Sequence, residues 1–149
     1  LPLFGLRFAT PVPVEQVAWV GLSGETYPDR KKGGLFGTYS EVPHISDYLV
    51  PQECGCHMDT HQMTLHLANH ALTIQKDGVP FAFSAIPYTP QQLSEAFHGD
   101  ELPAPCRTVV TLCGAMRGVG GIDSWGANVE EPYRVSAEKD ICFSFRFRL

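Results

Sequence analysis

Apolar and polar positions alternate with a period of two along much of the chain. At the C-terminus Ile141, Phe143, Phe145, Phe147 and Leu149 interleave with Cys142, Ser144, Arg146 and Arg148. Successive side chains of a strand point to opposite faces. This run therefore predicts a strand with a nearly all-aromatic face on the core and an Arg-bearing face outward. The same signal predicts strands at 3–10, 14–21, 62–70, 81–86 and 108–113. Fourteen glycines and twelve prolines punctuate them, as at Tyr27-Pro28-Asp29 and Lys32-Gly33-Gly34. One segment reads as helix. Thr89 is an N-cap, Pro90 suits the first helical position, and Gln92 completes a capping box. Leu93 and Phe97 would then share a face, one turn apart. The pattern predicts an all-β sandwich with one short helix.

Composition narrows the class. The 149 residues suffice for one domain, and 44% hydrophobic against 18% charged residues describes a folded chain. The net charge is −5, and no basic run exceeds Arg30-Lys31-Lys32. That leaves no electrostatic footprint for a nucleic acid or an anionic membrane surface. No apolar stretch approaches the roughly 18 residues of a membrane helix. The opening LPLFGLRFATP lacks the charged and small-residue features of a signal peptide. It reads as a piece of a longer polypeptide beginning mid-strand. The cysteines at 54, 56, 106, 113 and 142 are odd in number and without framework spacing. A reducing, cytoplasmic setting is expected from them.

The stretch ECGCHMDTHQMTLHLANH, residues 53–70, raises the question of a metal. A structural zinc site gathers four nitrogen or sulfur ligands, usually as two close pairs. Cys54 and Cys56 point the same way if extended, and His66 and His70 share a face of the predicted strand. Along a straight strand these pairs lie roughly 35–50 Å apart, although Glu53-Cys54-Gly55-Cys56 reads as a turn that would shorten the gap. C-x-C followed by H-x3-H is not a common zinc spacing. The expectation is no metal, with buried thiols and half-exposed strand histidines.

The segment Arg117-Gly118-Val119-Gly120-Gly121-Ile122-Asp123-Ser124-Trp125-Gly126 resembles the R-G-x-G-G-x-D-S-W-G loop in the C-terminal domain of bacterial β-galactosidases of glycoside hydrolase family 2. Other segments match in the same order. Trp19-Val20-Gly21 with Glu25-Thr26-Tyr27-Pro28-Asp29-Arg30 resembles W-x-G … E-N-Y-P-D-R. Residues 48–55, YLVPQECG, resemble Y-V-x-P-Q-E-N-G, and Phe83-Ser84-Ala85 with Tyr88 resembles F-S-x-x-x-Y. His98 with Glu101-Leu102-Pro103 resembles H-x-x-E-L-P, and Phe143-Ser144-Phe145-Arg146 the last strand. The resemblance covers residues 1–149 as a C-terminal sandwich domain. It implies an antiparallel β-sandwich of the galactose-mutarotase-like supersandwich type, of which this chain is the second half. Exposed strand edges and self-association would follow.

The resemblance implies that the retaining catalytic pair lies on a (β/α)8 barrel outside this chain, as do the parent's magnesium and sodium sites. The chain's own acids, among them Glu25, Asp29, Glu41, Glu53, Asp59 and Asp123, read as loop and capping groups. Taken alone, Trp125 reads as a core tryptophan. The resemblance instead implies that it reaches the barrel's active-site mouth and stacks on the galactoside. Gly118, Gly120 and Gly121 would give the loop left-handed or tight backbone, and Asp123 and Ser124 would fix it by local hydrogen bonds. Trp19, His44, His61 and His98 read as structural. Departures from the family pattern are Cys54 in place of Asn, His57 where Arg is frequent, Cys113 and Met116 in place of polar residues, and Ile122 where Asp is frequent. The gap between Gly21 and Tyr27 is one residue short. The expected partners are the barrel domain or large subunit, within an oligomeric enzyme acting on lactose or another β-galactoside. The competing reading is a freestanding carbohydrate-binding sandwich using Trp125, Tyr27 and Tyr48.

Overall fold

A computed structural model describes residues 1–120, 123 and 125–149. Among the described residues, nine strands form two antiparallel sheets. In chain order they are β1 (Leu3–Ala9), β2 (Gln16–Leu22), β3 (Phe36–Glu41), β4 (Cys56–Thr60), β5 (Gln62–Leu67), β6 (His70–Lys76), β7 (Phe81–Ile86), β8 (Val109–Met116) and β9 (Phe145–Arg148). The first sheet runs β1-β8-β7-β4 and the second β3-β2-β5-β6-β9. Helix α1 (Pro90–Glu95) lies between β7 and β8, and short 3-10 turns occupy Gly99–Glu101 and Glu131–Tyr133. The expected all-β sandwich is the observed fold. Among the described residues no helix is long and apolar enough to cross a membrane.

Alternation explains the layers. Val17 and Trp19 of β2, Met63 and Leu65 of β5, and Ile74 of β6 face Phe81, Phe83, Val110 and Leu112 of the first sheet. These residues are the main core. The chain passes between the sheets at His61, directly after β4 and before β5; its N–H donates to Val20 O and its carbonyl accepts from Lys76 N. The first sheet's other face is also covered. Cys54, Ile86, Tyr88 and Leu93 form one small cluster there, and Cys56, Ala82 and Cys113 another. That second face, rather than the main core, underlies the site described below.

Several expectations need correction. The run 62–70 is not one strand: it turns at residues 68–69, and β6 returns along β5 with Leu67 opposite His70. His66 and His70 therefore lie on different strands. Ala68-Asn69 contains no glycine, so the sequence carried only a weak turn signal there. The C-terminal strand is confined to Phe145–Arg148, and of its aromatic face Phe145 packs against the main core, 6.3 Å from Phe81, whereas Phe147 does not. Phe147 remains 49% exposed. The phenyl rings instead close one side of the sandwich, where Phe143 meets Phe4 edge-on at 5.7 Å and Phe147 meets Phe8 at 6.4 Å. Helix α1 carries the expected capping box at Thr89 and Gln92. It ends before Phe97, which is 72% exposed, so Leu93 alone anchors it.

His57 is the most deeply buried histidine of the described chain. Its ring lies 4.0 Å from that of Trp19 and 5.0 Å from that of Phe83. Nδ1 donates to Gly24 O at 2.9 Å, and Nε2 sits 3.2 Å from Glu41 Oε1. The His57 hydrogen bond holds the Glu41 carboxyl below its ordinary range, against the opposing effect of partial burial. A depressed carboxyl contributes stability above its unfolded value of about 4.3 and loses it as pH falls through the folded value. Glu41→Gln should therefore flatten the acid side of the stability curve. Urea midpoints between pH 6 and 3 should fall less steeply in the variant than in the parent; parallel curves would contradict the pairing.

Candidate functional site

Strand β8 leaves its sheet at Met116, and the next residues are held from several directions. Arg117 N donates to Pro2 O at 2.8 Å, and Gly118 N to Tyr133 O at 2.9 Å. The Arg117 guanidinium donates to Asn128 Oδ1 at 2.7 Å, closing the base of the segment. On the returning side Val129 is buried, and its carbonyl accepts from Arg134 Nε at 2.8 Å.

The principal clamp is Asp29, in the turn Tyr27-Pro28-Asp29-Arg30. Tyr27 O accepts from Arg30 N at 2.8 Å and closes that turn. Asp29 Oδ1 accepts from Val119 N at 3.0 Å, and Oδ2 from Gly120 N at 2.7 Å. Partial desolvation raises this carboxyl's pKa, but the two backbone N–H groups and neighbouring Arg30 outweigh it and lower the net value. Asp29 is thus a capping acid of its turn, as expected, and the backbone it caps comes from a segment about ninety residues away.

The clamp also explains the glycines. A Cβ on Gly118 would lie 2.7 Å from Asp29 Cγ, and one on Gly120 would lie 2.4 Å from an Arg30 nitrogen. Neither residue has a positive φ, so left-handed backbone is not their contribution; at Gly118 a Cβ would press on the clamping Asp29 carboxylate itself, whereas at Gly120 the nearest atoms are the end of the exposed Arg30 side chain. Among the described glycines of this loop, the left-handed position is Gly126, at φ 88°. Gly121 and Ser124 lie outside the described residues.

Asp123 organises the tip. Its Oδ1 accepts from Trp125 N at 2.8 Å and from Ala127 N at 3.3 Å. Trp125 is 91% exposed, so within this chain it is no part of the core. Trp19 is the core tryptophan, and its Nε1 donates to Leu22 O at 2.9 Å. Tyr27 and Tyr48 do not offer free hydroxyls: both donate to Glu25, at 2.6 and 3.3 Å.

Beneath the root of the loop lies a cleft of about 340 Å³, lined among others by Tyr27, Cys54, Cys56, Met116, Gly118 and Val119. Burial pushes the Cys113 thiol up to about 11, with Arg7 opposing and Glu53 adding to the effect. On the cleft wall Arg7 bridges Thr111 Oγ1 and Glu53 Oε2, both at 2.8 Å. Among the described residues no three His, Cys, Asp or Glu side chains group as metal ligands.

The fold and site define an antiparallel sandwich domain that presents an exposed indole on a loop tied down by carboxylate-to-backbone bonds. The sequence model of the β-galactosidase small chain family matches residues 1–149, and the chain belongs to that family. It is 48% identical to the β-galactosidase small subunit of Latilactobacillus sakei, covering 97% of this chain and 49% of the relative. It is 34% identical to β-galactosidase BgaC of Bifidobacterium adolescentis, over all of this chain and 15% of that protein. A β-galactosidase of Halalkalibacterium halodurans is 36% identical over 97% of this chain and 15% of its own length. The chain thus spans about half of the small subunit it matches and a much smaller part of the long enzymes.

Removing the clamp should release the loop. In Asp29→Ala, amide exchange at Val119 and Gly120 should rise at least tenfold at neutral pH, since each bond to a charged acceptor is worth about 1.5–3 kcal/mol. In the parent, the same protection should persist through the ordinary carboxylate range near 3.9 and fail only below it. Unchanged exchange in the variant would contradict the assignment.

Proposed function

We propose that this chain is the C-terminal sandwich portion of a β-galactosidase that hydrolyses terminal β-D-galactosides such as lactose. In this reading it completes the active-site mouth of a partner catalytic barrel and does no bond cleavage itself. The observation that carries the proposal is the 91% exposed indole of Trp125, on a loop held at its root by Asp29 and at its tip by Asp123. A bare indole is costly to leave in water unless something covers it. Its flat apolar face suits the C–H surface of a sugar ring, and few torsions need ordering to present it.

Division of labour follows from the chemistry. Retaining glycoside hydrolysis needs two carboxyl groups roughly 5–5.5 Å apart, one as nucleophile and one as acid and base. The prominent acids here have other occupations. Glu25 accepts from Tyr27, Ser46 and Tyr48; Glu41 bonds His57; Glu53 pairs with Arg7; and Asp29 and Asp123 hold the loop. In this reading, as the family resemblance implies, the barrel supplies the nucleophile, the acid and the magnesium and sodium ions, in the cytoplasm, within an oligomer. This chain supplies the platform and a wall that excludes water.

Hydrolysis of a chromogenic β-galactoside tests the proposal, with this chain alone and with the complete enzyme carrying this segment. The isolated chain should be inactive. In the complete enzyme Trp125→Ala should lower kcat/KM about tenfold, equivalent to ~1.4 kcal/mol. Turnover by the isolated chain, or an unaffected variant, would overturn the reading. Galactoside binding by the isolated chain, with no partner present, would favour a freestanding carbohydrate-binding module instead.

A further inference from the structure

The face from which the Trp125 loop rises carries more bare apolar surface than the indole alone. Beside the loop's root runs an irregular segment in which Leu49 is 88% exposed and Val50 is exposed with it. Its next residue, Pro51, is buried and shares a hollow with exposed Val119 and with the start of α1. Val119 and Glu53 line both that hollow and the 340 Å³ cleft. Shelf, hollow and cleft therefore form one continuous surface over the outer face of the first sheet.

The shelf cannot turn its apolar side chains inward. Ser46 Oγ and the Tyr48 hydroxyl donate to the Glu25 carboxylate, and Ser46 N donates to Cys54 Sγ at 3.3 Å. Those bonds and buried Pro51 fix the segment on either side of Leu49 and Val50. Pre-ordered apolar groups around a concave cleft, rimmed here by the Arg7–Glu53 pair, have the make-up of a protein interface: an apolar centre and a polar edge. An apolar patch already held in its bound shape loses little entropy when covered.

The loop itself identifies the occupant. Five residues separate Trp125 from Gly120, which Asp29 holds, so the two lie within roughly 18 Å at about 3.5 Å per residue. Whatever the indole meets must come that close to the shelf. In the function proposed above, it meets the mouth of the catalytic barrel. This chain spans only 15% of the long β-galactosidases it matches, so the body that approaches is far larger than the loop and covers the ground around its root. Resting on that reading, we propose that the catalytic part of the enzyme seats on Leu49, Val50 and Val119 and closes the cleft beside them. The contact is apolar burial, and it sets the distance between the sandwich and the barrel mouth that the loop must span.

Site-specific photo-cross-linking in the complete enzyme tests the seat. Leu49→p-benzoylphenylalanine replaces a side chain that this chain leaves in water, so the sandwich keeps its fold. Irradiation should join position 49 to peptides of the catalytic part, identified by mass spectrometry. The same probe at Thr73, which neighbours core residue Ile74 in β6 and pairs with Thr64 on the far sheet, should capture none of them. Failure to capture the catalytic part from position 49, capture of a second sandwich instead, or equal capture from position 73 would each overturn the proposal. The cross-link does not depend on what Trp125 does to the substrate. A retained cross-link with an unaffected Trp125→Ala enzyme would sink the sugar-platform reading alone; a lost cross-link with an impaired Trp125→Ala enzyme would sink the seat alone.

Discussion

Two backbone N–H groups on one carboxylate set the course of the segment after β8. Asp29 receives Val119 and Gly120 from about ninety residues away in sequence, and glycine at 118 leaves the carboxylate room where a Cβ would press on it. The role proposed for the tip depends on that approach. The loop's own stabilisation is local: Asp123 accepts from the backbone of Trp125 and Ala127, but such a turn fixes only its own shape. Direction relative to the sandwich comes from the root.

The root is built on the sheet face away from the main core. Cys54, Cys56, Cys113 and Met116 lie there, mostly buried, with Tyr27 over them. Sulfur and small side chains let the Tyr27–Arg30 turn sit close to the end of β8. The departures from the family pattern at Cys54, Cys113 and Met116 thus gather on one surface, where polar contacts give way to apolar and sulfur packing. Arg7 keeps a polar wall beside them through Thr111 and Glu53.

Much of the fold was legible because β2, β5, β7 and β8 bury one face and alternate accordingly. The strands that escaped notice have reasons. Edge strand β3, FGTYSE, alternates with its exposed and half-buried positions carrying mixed side chains. Strand β4 is broken by a register shift at Asp59, which sits at φ 53°. Strand β6 was merged with β5 for want of a glycine in the turn. At the site, the glycines and Asp123 stood out as a motif. The role of Asp29 did not, because a turn aspartate reads as solvated until the segment that donates to it is placed in space. Nor could the sequence distinguish glycine kept for close approach from glycine kept for a positive φ.

The membership in the β-galactosidase small chain family and the geometry of the loop meet in the proposal that Asp29 acts on substrate through Trp125. A double-mutant cycle on kcat/KM in the complete enzyme, with Asp29→Ala, Trp125→Ala and both together, tests it most directly. The account predicts that the double variant loses no more than Trp125→Ala alone, since a misdirected loop without its indole has nothing further to lose. Losses that multiply independently would contradict it, and would place Asp29 and Trp125 in separate roles.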